Sequence, residues 1–355
     1  MSASRDNVTP YRYRRPSYRL TLAGEDITPR LNGRLIDLRL REQRGLEADQ
    51  LDITLADHDG ALALPRRGAA LRLAFGWQDE GLIDKGLFTV DEVQHSGSPD
   101  QLTLRARSAD MRGELPGKRT FSWHDLTLEE IVETIAKRHG LDPVIGQTLG
   151  GIRLEHIDQT EESDLNFLTR LGERFDAIAA VKAGRMLFTL AGEALTASGL
   201  TMPAISLTRS DGDQHRYSIT DRDSYTGVKA YWNDTQGADR QIVLAGSDEN
   251  AKQLRPTYAS EADALTSARA EWRRLQRGLA EFEVTLAHGR ADVLPESPLE
   301  VRGFKPEIDA TPWLVTEVEH TLGDSGFGTR IRCEVSGAAL EQAGNQAPQN
   351  ENDGG

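Results

Sequence analysis

Cysteine is almost missing from this chain of 355 residues: Cys333 stands alone, between Arg332 and Glu334. One thiol makes no intrachain disulfide and no metal site, and such usage fits folding in a reducing compartment. Long apolar runs are missing as well. Nothing approaches the roughly 18 residues of a membrane-spanning helix, so no membrane insertion is expected. The stretch from Met1 to Leu20 is basic but has no apolar centre, and it reads as an extended arm rather than a secretory signal. Positive charge is in the minority, with 42 Lys and Arg against 56 Asp and Glu and a formal net charge of −14 at pH 7. That balance argues against specific nucleic-acid binding, although an acidic wall suits a conduit that must not hold what passes through it.

Signatures of chemistry are also absent. The eight histidines, His58, His95, His124, His139, His156, His215, His288 and His320, show no His-Glu-x-x-His or other paired metal spacing. There is no Gly-x-Ser-x-Gly elbow and no phosphate loop. Asp57, Asp59 and Gly60 resemble part of a calcium loop, but Leu55 and Arg66 would then occupy ligand positions, so a turn is expected. The pairs Glu129/Glu130 and Glu161/Glu162 sit at helix starts, which favour acids anyway. Leu128 to Leu141 looks superficially like a glycan-binding LysM helix, within surroundings of the wrong length and strand order. No catalytic, cofactor-binding or metal-ligating residue is assigned, and no cofactor is expected.

What the chain does have is alternation. Leu51, Ile53 and Leu55 alternate with polar neighbours, as do Leu71, Leu73 and Phe75, and Leu102, Leu104 and Ala106. Period two means strands with one buried face, and the breakers between them (Asp57 to Gly60, Gly76, Gly81, Gly97 to Asp100) point to a barrel or sandwich. The texture changes near Leu115-Pro116-Gly117. Thr127 and Glu130 form a capping box before Leu128, Ile131, Val132 and Ile135 at helical spacing, with Gly140 as the stop. A second helix begins near Glu162 and Ser163, with Leu165, Leu168, Leu171 and Phe175 on one side and Asp164 near its positive end. Lys182 to Arg185 reads as a hairpin loop. Strand patterns return over Tyr225 to Trp232, Gln241 to Ala245, Phe282 to Leu286, Leu299 to Val301, Leu314 to Leu322 and Arg330 to Val335. One helix interrupts them, capped by Ser260 and Asp263, with Ala262, Leu265, Ala268, Trp272 and Leu275 as its apolar stripe.

A duplication runs through this pattern. Phe88 to His95 and Trp313 to His320 both contain Val-x-Glu-Val-x-His, and each follows an alternating strand and precedes an Arg-bearing one. The copies lie about 225 residues apart, too far for a solenoid repeat, so two related barrels are expected on either side of a middle domain. The repeated histidines are read as matched structural positions at strand ends.

The segment Gln159-Thr160-Glu161-Glu162-Ser163-Asp164-Leu165-Asn166-Phe167-Leu168-Thr169-Arg170-Leu171 resembles a motif of the phage late control protein D family. A similar Gln…Glu-Ser-Asp-x-x-Phe-Leu-x-Arg-Leu pattern occurs in the hub region of type VI secretion spike proteins. Val315 to His320 and Gly323 to Gly328 are similar to that family too, and the likeness spans roughly residues 15–340 in element order. The resemblance implies a baseplate hub of a contractile phage or phage-tail-like bacteriocin particle, assembled in the bacterial cytoplasm. It also implies a homotrimer with tandem tube-like barrels, meeting the tail tube, central spike and baseplate wedge proteins and a tape measure protein. Type VI spike proteins continue into an OB-like domain and a needle, and this chain does not, so a separate spike protein is expected.

The expected fold is α+β and mainly β. Its parts are an arm (1–17), a first tube-like barrel (18–112), an α+β insert (113–207), a second barrel with one helix (208–340) and a disordered tail (341–355). A structural protein is expected, not an enzyme. The alternatives are a tail-associated peptidoglycan hydrolase and a glycan-binding baseplate protein.

Overall fold

The computed structural model describes residues 14–108, 117–182, 184–192, 194, 196, 200, 202–219, 225–234 and 239–336. The expected tail and most of the expected arm lie outside the described residues.

The chain opens with β1 (Pro16–Leu22), β2 (Glu25–Asp26), the one-turn α1 (Thr28–Leu31) and β3 (Leu35–Gln43). It continues through β4 (Gln50–Ala56), β5 (Ala70–Trp77), the long β6 (Gly81–Ser96) and β7 (Gln101–Ser108). Alternation sorts the faces as expected: Leu51, Ile53 and Leu55 of β4 are buried, and the residues between them lie on the other face. The strands lie in the order β3-β4-β7-β6-β5-β1-β2 and share one core around Leu40, Leu73, Phe75 and Phe88.

The middle segment pairs β8 (Lys118–Thr127) with β10 (Arg153–Ser163) as a two-stranded ribbon. Between them lie α2 (Leu128–Arg138), β9 (Asp142–Ile145) and the short α3 (Gln147–Gly150). Then come α4 (Asp164–Phe175) and the hairpin β11 (Ala177–Lys182) and β12 (Arg185–Leu190), which β9 joins in parallel. The capping box is present: Glu130 N donates to Thr127 Oγ1 at 3.2 Å, and Thr127 N donates to Glu130 Oε2 at 2.8 Å. Gly140 takes φ +67°, the left-handed stop that glycine adopts without penalty. Ile131, Ile135, Phe167 and Leu171 meet in a core of their own.

The last segment carries β13 (Ile205–Thr208), β14 (Gly212–Ile219), β15 (Gly227–Asp234), β16 (Asp239–Gly246) and β17 (Ala251–Tyr258). After α5 (Glu261–Arg277) come β18 (Ala280–Leu286), β19 (Pro298–Arg302), the short α6 (Pro306–Asp309), β20 (Trp313–Gly323) and β21 (Gly326–Val335). Here the structure corrects the reading of one plain barrel with a helix. Tyr225 to Trp232 and Gln241 to Ala245 were expected in a barrel, but β15, β16 and β17 form a separate three-stranded sheet covered by α5. Alternation cannot tell one sheet from another. Small buried residues on α5, Ala264 and Ala268, let it lie close on Val228, Ala230 and Val243, while Ala262 is exposed and not part of the stripe.

The two strand-rich segments, separated in the chain by the middle segment, meet edge to edge: β20 pairs antiparallel with β3 from Glu317↔Gln43 to Gly323↔Asp37. One sheet of 13 strands therefore runs through both. Within it the duplication is visible as topology. The order β3-β4-β7-β6-β5-β1 is matched by β14-β18-β21-β20-β19-β13. The repeated motif makes the same bulge in both copies, between Val90 and Glu92 against β7 and between Val315 and Glu317 against β21. Val90 N donates to Ala69 O and Val315 N to Ser297 O, while Gly68 N and Glu296 N donate back to the valine carbonyls. Gly68 and Glu296 even share a left-handed backbone, φ +87° and +69°. The copies differ at the last pair, where β1 runs antiparallel to β5 and β13 parallel to β19.

Candidate assembly surface

The β3–β20 seam places charged residues where sequence shows only a polar run. Arg41 forks onto Glu317, Nε to Oε1 and Nη2 to Oε2, each at 2.9 Å. Beneath it Lys85 Nζ of β6 donates to Glu42 Oε2 at 2.7 Å, with the lysine side chain 1% exposed and the carboxylate 7%. His320 Nε2 of β20 faces the same carboxylate oxygen at 3.2 Å without a well-aligned hydrogen bond, and its Nδ1 lies 2.9 Å from Thr329 Oγ1. Burial by itself would raise the Glu42 carboxyl, but the Lys85 ammonium outweighs it and the carboxyl is held at about 2. Farther along, Arg44 forks onto Glu334, whose Oε1 also lies 3.1 Å from Arg277 Nε, and Arg277 forks onto the buried Asp176 after α4. One charge network thus joins both sheet halves, the insert and α5.

This cluster has a pH consequence. Burial depresses the His320 imidazole below its ordinary value of 6.5, so it is neutral in the folded chain. The unfolded chain binds that proton first, so its stabilising contribution is complete above about pH 6.5 and is lost as the pH falls below it. Glu42 stays ionised through that window. The unfolding free energy from denaturant melts between pH 7 and pH 5 is expected to fall, by at most about 1.4 kcal/mol per pH unit from this residue. His320→Gln should remove that component, and an identical pH slope in the variant would contradict it.

The equivalent edge in the first copy has no strand beside it among the described residues. β6 pairs with β5 only up to Thr89 and with β7 up to Ser96, so the other edge over residues 92–96 is open. At the far end of the sheet, β14 pairs among the described residues with β18 alone, which leaves its outer edge open along all eight residues. Open edges of this length are templates for another strand.

The Gln159–Leu171 segment points inward instead. Ser163 caps α4 by accepting from Asn166 N at 3.1 Å. Asp164, expected only to complement the helix dipole, is fully buried. It accepts from Gln159 Nε2 at 2.8 Å and Arg138 Nη1 at 2.9 Å, with His139 Nε2 at 2.8 Å and Arg119 Nε at 3.4 Å. Burial pushes its carboxyl up, and these hydrogen bonds outweigh that and keep it below the ordinary range. Glu162 takes Arg170 in a fork, with Nη2 also on Asp158 O at 2.7 Å. The motif is thus an internal clamp between β10, α2 and α4.

The remaining candidates stay scattered. Asp59 accepts the Arg34 fork, and Asp57 accepts from Leu62 N at 3.0 Å, as in a turn. His124 and His156 face each other across the β8–β10 ribbon with Nδ1 atoms 3.1 Å apart, His139 serves Asp164, and His215 packs on Phe304. His288 packs on Trp77, and His58 is exposed. Glu129 and Glu161 are exposed. Among the described residues no group of His, Cys, Asp and Glu is placed to hold a metal. The repeated histidines do share a register, His95↔Leu102 and His320↔Thr329, but His95 is exposed beside Asp57 while His320 is buried. Sequence reasoning missed Glu42 and Lys85, whose neighbours in the chain are polar.

A duplicated sheet that joins to itself along one edge, and leaves the matching edges open, is the build of an assembly module. Its relatives give that module a place. The model of the phage tail baseplate hub (GPD) family matches residues 43–326. The chain belongs to that family, and so to the structural parts of a tail baseplate. Two proteins called "Probable baseplate hub protein", of Escherichia phages 186 and P2, are 45% and 44% identical to it. These matches cover 92% and 90% of this chain and 94% and 93% of theirs. The crystal structure of a tail protein from Neisseria meningitidis MC58 shares the fold at 12% identity and a TM-score of 0.68, covering 91% of this chain and 97% of that one.

Proposed function

We propose that three copies close into a ring that continues the tail tube above and seats the central spike below. The observation carrying this reading is the duplication: each chain brings two sheet halves of matched strand order, so three chains present six similar units to a sixfold tube and three identical chains to a threefold spike. A head-to-tail contact that returns on itself gives a closed ring and no free end. The role is geometric and not enzymatic, with the baseplate wedge proteins on the outside and the tape measure protein as a further contact. No nucleic-acid recognition is involved. The test is the native mass of the purified chain, alone and with the spike protein of the same particle. A species of three times 39.2 kDa is expected, and a chain that stays monomeric in both mixtures overturns the ring.

A further inference from the structure

We infer that neighbouring copies join by pairing the outer edge of β14 with the open edge of β6, antiparallel, in the register that β3 and β20 use inside one chain. The inference rests on the ring reading above and adds to it which strands meet and which residues face each other.

The register follows from the duplication. Val93 and His95 stand in β6 where Val318 and His320 stand in β20, one and three residues past the bulges that end at Glu92 and Glu317. Tyr217 pairs through Phe282 to Cys333, as Leu40 pairs through Leu51 to Ala106, so β14 stands where β3 stands. Inside the chain, Val318 faces Glu42 and His320 faces Leu40. Between copies, Val93 therefore faces Ile219 of a second copy, and His95 faces its Tyr217.

The side chains fit that arrangement. Ile219 is 67% exposed at the end of an open strand, where a second strand would cover it. Val93 is half-buried on the edge of the first core and has room for an apolar partner. Where the in-chain seam holds Glu42 with Lys85, the seam between copies sets isoleucine on valine. The contact of Val93 with Ile219 itself buries no charge. The pairing is heterologous, β14 to β6, so each copy uses both of its open edges once and the ring closes.

The experiment is a disulfide cross-link in the full chain, read at a concentration where native mass spectrometry shows the oligomer. Cys333 is buried and its thiol is pushed up by that burial, so it does not interfere. Val93→Cys with Ile219→Cys is expected to give a covalent ladder up to the trimer on a non-reducing gel, reversed by reductant. The control pair, Val93→Cys with Tyr217→Cys, should link at least about tenfold less, since its partners are two residues out of register. In a separate variant, Ile219→Asp should weaken the oligomer while leaving the monomer's unfolding midpoint unchanged, because the side chain is exposed. An oligomer in which the control pair links better, or neither pair links, overturns the register and leaves the ring standing. The absence of any oligomer, with or without the spike, overturns both.

Discussion

Replacing Lys85 with alanine is expected to lower stability by about 3–5 kcal/mol, the range found when one partner of a buried ion pair is removed. Lys85 and Glu42 are almost fully enclosed, and the remaining neighbour, His320, is held neutral by the same burial. Without the ammonium, the carboxylate must either stay charged and unpaired or take up a proton far above its present value of about 2. The double change Lys85→Met with Glu42→Leu removes both charges and keeps the volume, and it should be close to neutral. Denaturant unfolding at pH 7 separates the two. If the single variant is no weaker than the double, buried charge is not what the pair supplies. Because Lys85 lies on β6, Glu42 on β3 and His320 on β20, the loss should appear first as faster amide exchange along β3 and β20.

The second large effect is expected at Asp164. Asp164→Ala leaves Arg138, His139 and Gln159 around an emptied position that is fully shielded from water, and about 3–5 kcal/mol should again be lost. The site sits in the core of the middle segment, apart from the large sheet. Faster exchange is therefore expected in β8, α2 and α4, with the amides of β4 and β7 unchanged. A uniform loss of protection over the whole chain would show instead that the insert and the sheet unfold as one unit.

The readable parts of this fold were those with local causes. Period-two runs gave β4, β5 and β7, and capping chemistry gave the starts of α2, α4 and α5. The Val-x-Glu-Val-x-His repeat announced the duplication, and it marks the same bulge in both copies. Strands with a broken pattern were missed: β8 and β10 form a two-stranded ribbon whose buried residues, Trp123, Leu154, Ile157 and Gln159, do not follow a clean alternation. The seam was invisible for a different reason. Nothing within β3 says that its partner is β20, because their alternation is satisfied by any neighbour with an apolar face. Lys85 and Glu42 look like solvated charges until both halves are brought together. The Gln159–Leu171 pattern was legible as a family likeness but not as a clamp, since Arg119, Arg138 and His139 reach it from elements distant in the chain.

The seam also sets a schedule for synthesis. Arg41 and Glu317 are separated by 276 positions. At the usual pace of a ribosome, about 5–20 residues per second, β3 waits roughly a quarter of a minute to a minute for the strand that covers it. Over that interval its edge is exposed to other nascent chains on the same message. Its arginines, Arg39 and Arg41, are charges of the kind that keep an uncovered edge from pairing with a copy of itself. Only a chain translated through β20 and β21 has the strand that covers β3, so a prematurely terminated product keeps that edge bare.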